Sequence, residues 1–345
     1  MKNLLIDFNH MAYRSFFACR KDIEDVGWGY FKHVMYNSIF SFCHKFEPDQ
    51  VIVAADSKQN WRRKIYPEYK RNRKEKRDAQ DDIDWDSMFN AMDELLKEMK
   101  LYFPFMVIRI QYMEADDIIG AYVRLHQDEN STIITSDGDY VQLLRYKNVK
   151  VYDPMKCKFM KTDDPLKALK VKILHGDAGD NIPNIIKRMM KDPSVKKRLG
   201  EKTAEKYVED NSKLQALYED KTVLTEQILN ENGDPEIDEE GNEKVSPILI
   251  KETVDGEEKE VPLTLGKQAK IGFKRNSILI DLTHIPEKLV KILEQTVEDY
   301  EPASGKDIFQ YFAKNKFREF VNKMDYVEKA INPVIEYNKQ REIFQ

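Results

Sequence analysis

The sequence predicts an α/β protein whose first half is a central, mainly parallel sheet flanked by helices and whose second half is mainly helical. Up to about residue 160, short apolar runs ending in acidic residues alternate with helix-like segments, the pattern of parallel strands joined by crossover helices. Beyond that point the strand signals fade and helical periodicity takes over. The expected division is therefore an α/β domain over 1–160, with a basic excursion at about 57–85, and a mainly helical domain over 161–345.

In chain order, the candidate strands are Asn3–Phe8, Gln50–Asp56, Phe105–Ile110, Ser131–Asp137 and Val149–Asp153. Helical patterns lie near 29–46, 84–101, 114–127 and 139–146, and the spacing leaves room for each crossover. In open parallel sheets the ligand site lies beyond the carboxyl ends of the strands. Three of these strands finish in or run directly into Asp7, Asp56 and Asp137, so those carboxylates are expected to converge. In the second half, helices are expected over Pro165–Leu174, Lys202–Glu209, Lys213–Leu229, Pro286–Tyr300 and Gly305–Lys323.

The 345 residues, 41% of them hydrophobic, suffice for one large or two smaller cores. Cys19, Cys43 and Cys157 form no CxxC pair, so neither a disulfide framework nor a structural zinc site is suggested. No apolar run approaches the length that spans a bilayer and no secretory signal pattern opens the chain, so the expectation is a cytoplasmic protein with no membrane partner. The net charge of −5 hides a block arrangement. Lys58 to Arg77 holds ten basic and two acidic residues, and Lys187 to Lys206 eight basic and three acidic, which predicts two basic surfaces. From Ile228 to Glu260 the balance reverses to twelve acidic and three basic, with Asn232-Gly233 and Asp255-Gly256 as turn signals. That stretch, about 228–262, reads as a solvated insertion.

Acids recur at spacings suited to metal binding: Asp7, Asp56, the run Glu114-Ala115-Asp116-Asp117, Asp137-Gly138-Asp139, and Gly176-Asp177-Ala178-Gly179-Asp180. Glu114 and Asp117 share one face at the start of a helix, while Asp116 reaches to the side. Taken alone, that tetrapeptide reads equally as first-turn acids interacting with a helix dipole. Position shifts the balance, because Asp7, Asp56 and Asp137 follow apolar runs and would bring like charges together near the sheet edge unless a cation neutralised them. Oxygen donors without His or Cys point to Mg²⁺ or Mn²⁺. Two such ions about 4 Å apart activate a water and stabilise the leaving oxygen in phosphodiester hydrolysis.

Trp61 to Arg73 interleaves aromatics with cations just after the strand that delivers Asp56; cations pair with phosphates, and rings stack on unpaired bases. Gly176 to Asn184 places turn-forming residues ahead of a basic stretch, and Gly200-Glu201-Lys202-Thr203-Ala204 opens a helix whose N-terminus, with nearby lysines, offers a seat for duplex phosphates. It is not a P-loop, since Val195 stands where the Walker glycine is required and no strand precedes it.

These residues resemble the 5′-nuclease family of flap endonucleases and polymerase-associated 5′→3′ exonucleases, and within it the T-even-type bacteriophage ribonuclease H, over most of the chain. Asp7 and Asp56 are similar to the family's first- and second-strand aspartates; Glu114, Asp116 and Asp117 to its Glu-Ala-Asp-Asp; Asp137 and Asp139 to its Asp-x-Asp; Asp177 and Asp180 to its Gly-Asp-x-x-Asp-Asn-Ile-Pro signature. The resemblance implies a PIN-like sheet followed by a helix-hairpin-helix-type subdomain. It implies two Mg²⁺ ions, with Mn²⁺ able to substitute: Glu114, Asp116, Asp7 and Asp56 would serve one, and Asp137, Asp139, Asp177 and Asp180 the other, with Asp117 belonging to either shell.

Arg62, Tyr69, Lys70 and Arg73 are similar to the family's Arg…Tyr-Lys-x-x-Arg pattern, which implies an arch for a 5′ single strand, with Lys70 and Arg73 on the scissile phosphate. Duplex binding by 177–209, Lys202 and Thr203 included, and a K⁺ ion in the hairpin are further implications. One departure stands out: about fifteen residues rich in Lys and Arg precede Gly200 where the family runs directly into its hairpin glycines.

The implied activity is 5′→3′ exonuclease and flap endonuclease action on DNA and RNA–DNA hybrids with free 5′ ends, as in removal of lagging-strand RNA primers. A replication-fork protein such as a single-stranded-DNA-binding protein would be a partner, and the host cytoplasm the location if the chain is phage-encoded. A haloacid-dehalogenase phosphatase would need Asp where Asn9 stands. A PIN-type endoribonuclease lacks the Gly-Asp-x-x-Asp module. A non-catalytic, structure-selective DNA-binding protein is the alternative from another class.

Overall fold

The computed structural model describes residues 1–195, 197–230, 234–238, 240, 242–254 and 257–344. Its first elements are β1 (Lys2–Asp7), α1 (Phe8–Val26), α2 (Trp28–Phe46), β2 (Gln50–Ala54), α3 (Arg62–Ile65), α4 (Arg71–Asp78), α5 (Trp85–Tyr102), β3 (Met106–Ile108) and α6 (Ala115–Leu125). They are followed by β4 (Asn130–Ile134), a 3₁₀ helix (Gly138–Arg145), β5 (Val149–Asp153), β6 (Lys158–Phe159) and α7 (Pro165–His175). Next come α8 (Glu201–Glu209), α9 (Asn211–Tyr218), β7 (Thr225–Gln227), β8 (Val245–Pro247), β9 (Leu249–Val254), β10 (Glu257–Pro262) and α10 (Leu265–Ile280). The chain ends in α11 (Glu287–Glu298), α12 (Ile308–Lys314), α13 (Arg318–Asn322) and α14 (Met324–Phe344).

Two compact units result: 1–64, 77–165 and the chain from Ile285 on form the first, and 65–76 with 166–284 the second. This differs from a single C-terminal domain over 161–345. The reason is apolar: Ile308, Phe312, Phe320, Val327 and Val334 share one buried cluster with Leu4, Ile6, Val51 and Val53 of the sheet and with α1, α2 and α5.

The first unit is built on a six-stranded sheet of order β3-β2-β1-β4-β5-β6. All pairings are parallel except β5–β6. Leu4, Leu5 and Ile6 of β1 are wholly buried, as a strand covered on both faces requires. The strand order reverses at β1, which places a topological switch point at the carboxyl ends of β1 and β4. α1 has no counterpart in the sequence reading. It follows β1 with no linker, because Asp7 ends the strand and also caps the helix, its Oδ1 accepting from the His10 amide at 3.0 Å.

The second unit packs α7 to α10 around Leu174, Ile185, Ile186, Leu217 and Ala269. The expected helix Lys213–Leu229 stops at Tyr218, where Asp220 accepts from the Thr222 amide at 2.9 Å and a β-branched run turns into β7. The acidic stretch carries β8, β9 and β10, mostly exposed; β9 pairs antiparallel with β10, and β8 with β7 just ahead of the stretch. Its turn signals Asn232-Gly233 and Asp255-Gly256 lie outside the described residues. No helix among the described residues is long and apolar enough to cross a membrane.

Candidate metal centre

In the first unit the acids assemble at the carboxyl ends of the strands. Asp7 is 7% exposed, and its Oδ2 accepts a 3.0 Å hydrogen bond from the Tyr140 hydroxyl. Asp56 lies two residues past β2; its amide donates to Asn9 Oδ1 at 2.8 Å, and its own Oδ1 accepts from the Ala115 amide at 2.8 Å. That bond brings Asp56 to the N-terminus of α6, where Glu114 is the cap residue and Asp116 and Asp117 fill the first turn. Carboxylate oxygens of Glu114, Asp116 and Asp117 all lie within 4.8 Å of one another.

Asp137 follows β4 and caps the 3₁₀ helix, its Oδ1 accepting from the Asp139 amide at 2.9 Å. The buried Tyr140 phenol reports this convergence. Its pKa is pushed well above the ordinary value, first by burial and then by the negative charges of Asp7, Asp116 and Asp137. His10 contributes from α1, Nε2 lying 3.2 Å from the Ser136 amide, and burial lowers its pKa despite the opposing charge of Asp137. An open cleft of about 570 Å³, lined by Asn9, Tyr13, Asp56, Lys58, Arg77 and Arg109 among others, adjoins Asp56.

The four acids of the α6 group are not equivalent. Asp117 is wholly buried: its Oδ2 accepts from the Trp61 indole at 3.0 Å, the Glu114 amide at 3.0 Å and the Arg62 guanidinium at 2.9 Å, while Oδ1 is ion-paired with the same guanidinium at 2.8 Å and makes no hydrogen bond among the described residues. Arg62, 1% exposed, also reaches Glu114 at 3.2 Å. The reading of Arg62 as a nucleic-acid contact is therefore revised: the guanidinium is turned inward, where it neutralises carboxylates. Sequence reasoning missed this because a run of cations reads as a surface. It also missed Tyr140, Asn9 and His10, although Asn9 and His10 stand next to Asp7 and so share its turn.

In the second unit Asp180 is engaged by three residues singled out from the sequence. Tyr69 donates to Oδ2 at 3.2 Å, Lys70 Nζ lies 3.6 Å from Oδ2, and Arg73 pairs with Oδ1 at 2.5 Å. Lys70 sits at φ 56°, and its amide donates to the Asp180 carbonyl at 2.9 Å, so the backbone of the two segments is joined as well. Asp177 faces Lys172 at 2.8 Å. Burial opposes its ionisation, but Lys172 and the amides of Asp180 and Gly179 outweigh burial and hold its pKa low.

α10 fixes this loop: Asn276 donates to the carbonyls of Ile173 and Pro183, both at 2.8 Å, and Arg275 to those of Pro183, Asn184, Lys187 and Arg188. The basic stretch before Gly200 contains no helix among its described residues and is organised by Asp192, which accepts from Ser194 and Arg188. Lys202 and Thr203 lie in the first turn of α8, with the Thr203 amide bonded to the Gly200 carbonyl at 3.0 Å.

The acids beyond the carboxyl ends of a parallel sheet, all oxygen donors, suit hard divalent cations. Together, the fold and this donor set define a metal-dependent nuclease. Residues 2–172 match the family described as 5′-3′ exonuclease, N-terminal resolvase-like domain. Residues 2–172 are thus a 5′-3′ exonuclease N-terminal domain, and the chain is a homologue of a phage ribonuclease H. It is 27% identical over 331 residues to the ribonuclease H of Enterobacteria phage T4, covering 93% of this chain and 94% of that one. It is 30% identical over 244 residues to the DNA polymerase I of Caldicellulosiruptor bescii, covering 64% of this chain but only 25% of that much longer protein. A bacteriophage T5 flap endonuclease, solved in a complex with DNA and metal ions, shares the fold with a TM-score of 0.56 at 17% identity, over 96% of this chain and 99% of that one.

Proposed function

We propose that the chain is a Mg²⁺-dependent 5′→3′ exonuclease and flap endonuclease that acts on free 5′ ends of DNA and of RNA–DNA hybrids and removes RNA primers during lagging-strand replication. The observation that carries this reading is the convergence of the carboxylates of Asp7, Asp56, Glu114, Asp116 and Asp137 at the switch point of the sheet. Mg²⁺ is favoured because these donors are carboxylates and the neighbouring His10 Nε2 already faces the Ser136 amide, and Mn²⁺ satisfies the same donors.

Asp7, Asp56, Glu114, Asp116, Asp137 and Asp139 are assigned as metal-holding residues, several through water; Asp177 and Asp180 are added on their sequence motif. Bound divalent ions would supply an activated water and charge stabilisation at the leaving oxygen. Asp117 and Arg62 act one step removed: they fix Glu114 at the head of α6 and keep its oxygens oriented. Tyr140 orients Asp7 in the same way. Lys70 and Arg73 bind the scissile phosphate, with Asp180 occupying those cations until a phosphate does so. Lys202 and Thr203 add contacts to the duplex, whereas Tyr69, read from the sequence as a nucleic-acid contact, is 2% exposed and instead orients Asp180 through its hydroxyl.

The test uses 5′-labelled flap and nicked duplexes with Mg²⁺ or EDTA. Short 5′ products that require the metal and vanish in Asp137→Asn, while DNA binding persists, are expected. Cleavage retained by that variant would remove Asp137 from the metal set, and equal cutting of closed circular duplex would refute the requirement for a 5′ end.

A further inference from the structure

The carboxyl ends of the strands carry the acids; the opposite end of the same sheet carries a concave site of the opposite charge. A cleft of about 330 Å³ opens at the start of β1, β4 and β5, lined by Lys2, Lys45, Lys150, Phe46 and Phe159 together with polar residues that include Thr132. From Lys2 to Asp7 β1 advances roughly 17 Å at ~3.3 Å per residue, so this cleft is separate from the acidic end.

No acid lines it, in a chain with 61 Asp and Glu against 56 Lys and Arg. Nor does any of the three ammonium groups form an ion pair among the described residues. Lys45 Nζ rests on the Tyr152 ring at 4.1 Å and donates to the Tyr152 hydroxyl; Lys150 Nζ lies 5.9 Å from the Phe159 centroid; Lys2 Nζ reaches only the Glu47 carbonyl at 3.4 Å. Two neighbouring carboxylates bond to other groups than these ammoniums: Asp49 accepts the Lys2 backbone amide at 2.7 Å, and Glu129 accepts from the Asn3 side chain at 2.7 Å. Phe159 is 38% exposed, and its ring meets Phe46 with centroids 6.0 Å apart.

We propose that this cleft is a second nucleic-acid contact, holding one or two nucleotides of a single strand at the end of the sheet away from the acids. Three unneutralised ammonium groups take the phosphates, and the exposed Phe159 ring takes a base, the combination by which single strands are held without sequence preference. The aromatic rings favour a single strand over an acidic protein segment, which would meet the lysines but leave the rings unused.

The experiment mixes the whole chain, in EDTA, with a labelled oligothymidylate carrying a photoreactive thymidine analogue. A cross-link to the peptide containing Phe46 or Phe159 is expected. Lys2→Gln/Lys150→Gln should lose it and bind the oligomer several-fold more weakly at low salt, while Lys150→Arg retains both and circular dichroism is unchanged. Absence of the cross-link with wild-type protein would overturn the proposal. So would protection of the three lysines from acetylation by an oligoglutamate but not by the oligothymidylate, which would assign the cleft to an acidic protein segment. No readout depends on cleavage, so failure here leaves the nuclease reading untouched.

Discussion

Asp117 and Asp180 are both held by cations from the stretch Trp61–Arg73, each within its own unit, but under different solvent exposure. Around Asp117 the pairing is sealed: side-chain exposure is 1% for Arg62 and 0% for Asp117. Around Asp180 it is open: Arg73 is 50% exposed and Asp180 13%. A sealed pair has been stripped of water and cannot exchange partners without leaving a naked charge, so it acts as scaffold. An open pair is screened, contributes little to stability, and gives up its carboxylate readily when a phosphate arrives. One basic run thus supplies both an internal counter-ion and an exchangeable anion site.

The largest effect is expected at the sealed pair. Arg62→Ala should destabilise the fold by roughly 3–5 kcal/mol, because Asp117 and Glu114 would remain buried without their cation. Urea or thermal denaturation measures it, and a loss under about 1 kcal/mol would show the pair to be an ordinary surface contact. Arg62→Lys should recover only part, since one ammonium cannot match the forked geometry that serves both carboxylates.

At the open pair the expectation inverts. Arg73→Ala, at the half-exposed cation, should change stability by less than about 1 kcal/mol. Lys70→Ala, at a side chain only 14% exposed, should lower the cleavage rate by on the order of a hundredfold, more than it weakens duplex binding, as loss of one donor to a developing charge does. Single-turnover cleavage beside duplex-binding titration separates the two. A fall in binding equal to the fall in rate would make Lys70 a plain phosphate contact.

The same contrast explains how much was legible in the sequence. Apolar runs marked all five parallel strands, and those of β1, β2, β4 and β5 ran into an aspartate while that of β3 did not, because burial on both faces leaves a continuous hydrophobic signal and the charge can stand only where the strand ends. Arg62 was invisible as a buried ion, since nothing in a run of cations tells which one turns inward. α10 was missed for a related reason. Its buried face includes Gly266, Gln268, Gly272 and Asn276, so the helix packs by close approach and hydrogen bonds rather than by an apolar stripe. At Gly272 an added Cβ would lie 2.0 Å from the Ile185 carbonyl oxygen, which leaves glycine the residue that fits. α14 was obscured by Pro333, which stands inside the helix while Val327, Ala330, Ile331 and Val334 bury its apolar face.

Asp192 offers an intermediate case and the smallest expected effect. Its carboxylate is as hidden as that of Asp117, but its cation is not: Arg188 is 28% exposed. Burial works against ionisation, yet the Ser194 hydroxyl, the Arg188 amide and the Arg188 guanidinium outweigh it and hold the pKa below the ordinary 3.8. A carboxyl with a lower pKa folded than unfolded stabilises the fold above the unfolded value, and that contribution is lost as the pH falls through the folded value. Stability measured from neutral pH down to about pH 3 should therefore decline more in the wild type than in Asp192→Asn. Parallel curves would mean that Asp192 is held as weakly as an open surface pair, and exposure of the cation, rather than of the acid, would then decide which pairs in this chain are scaffold.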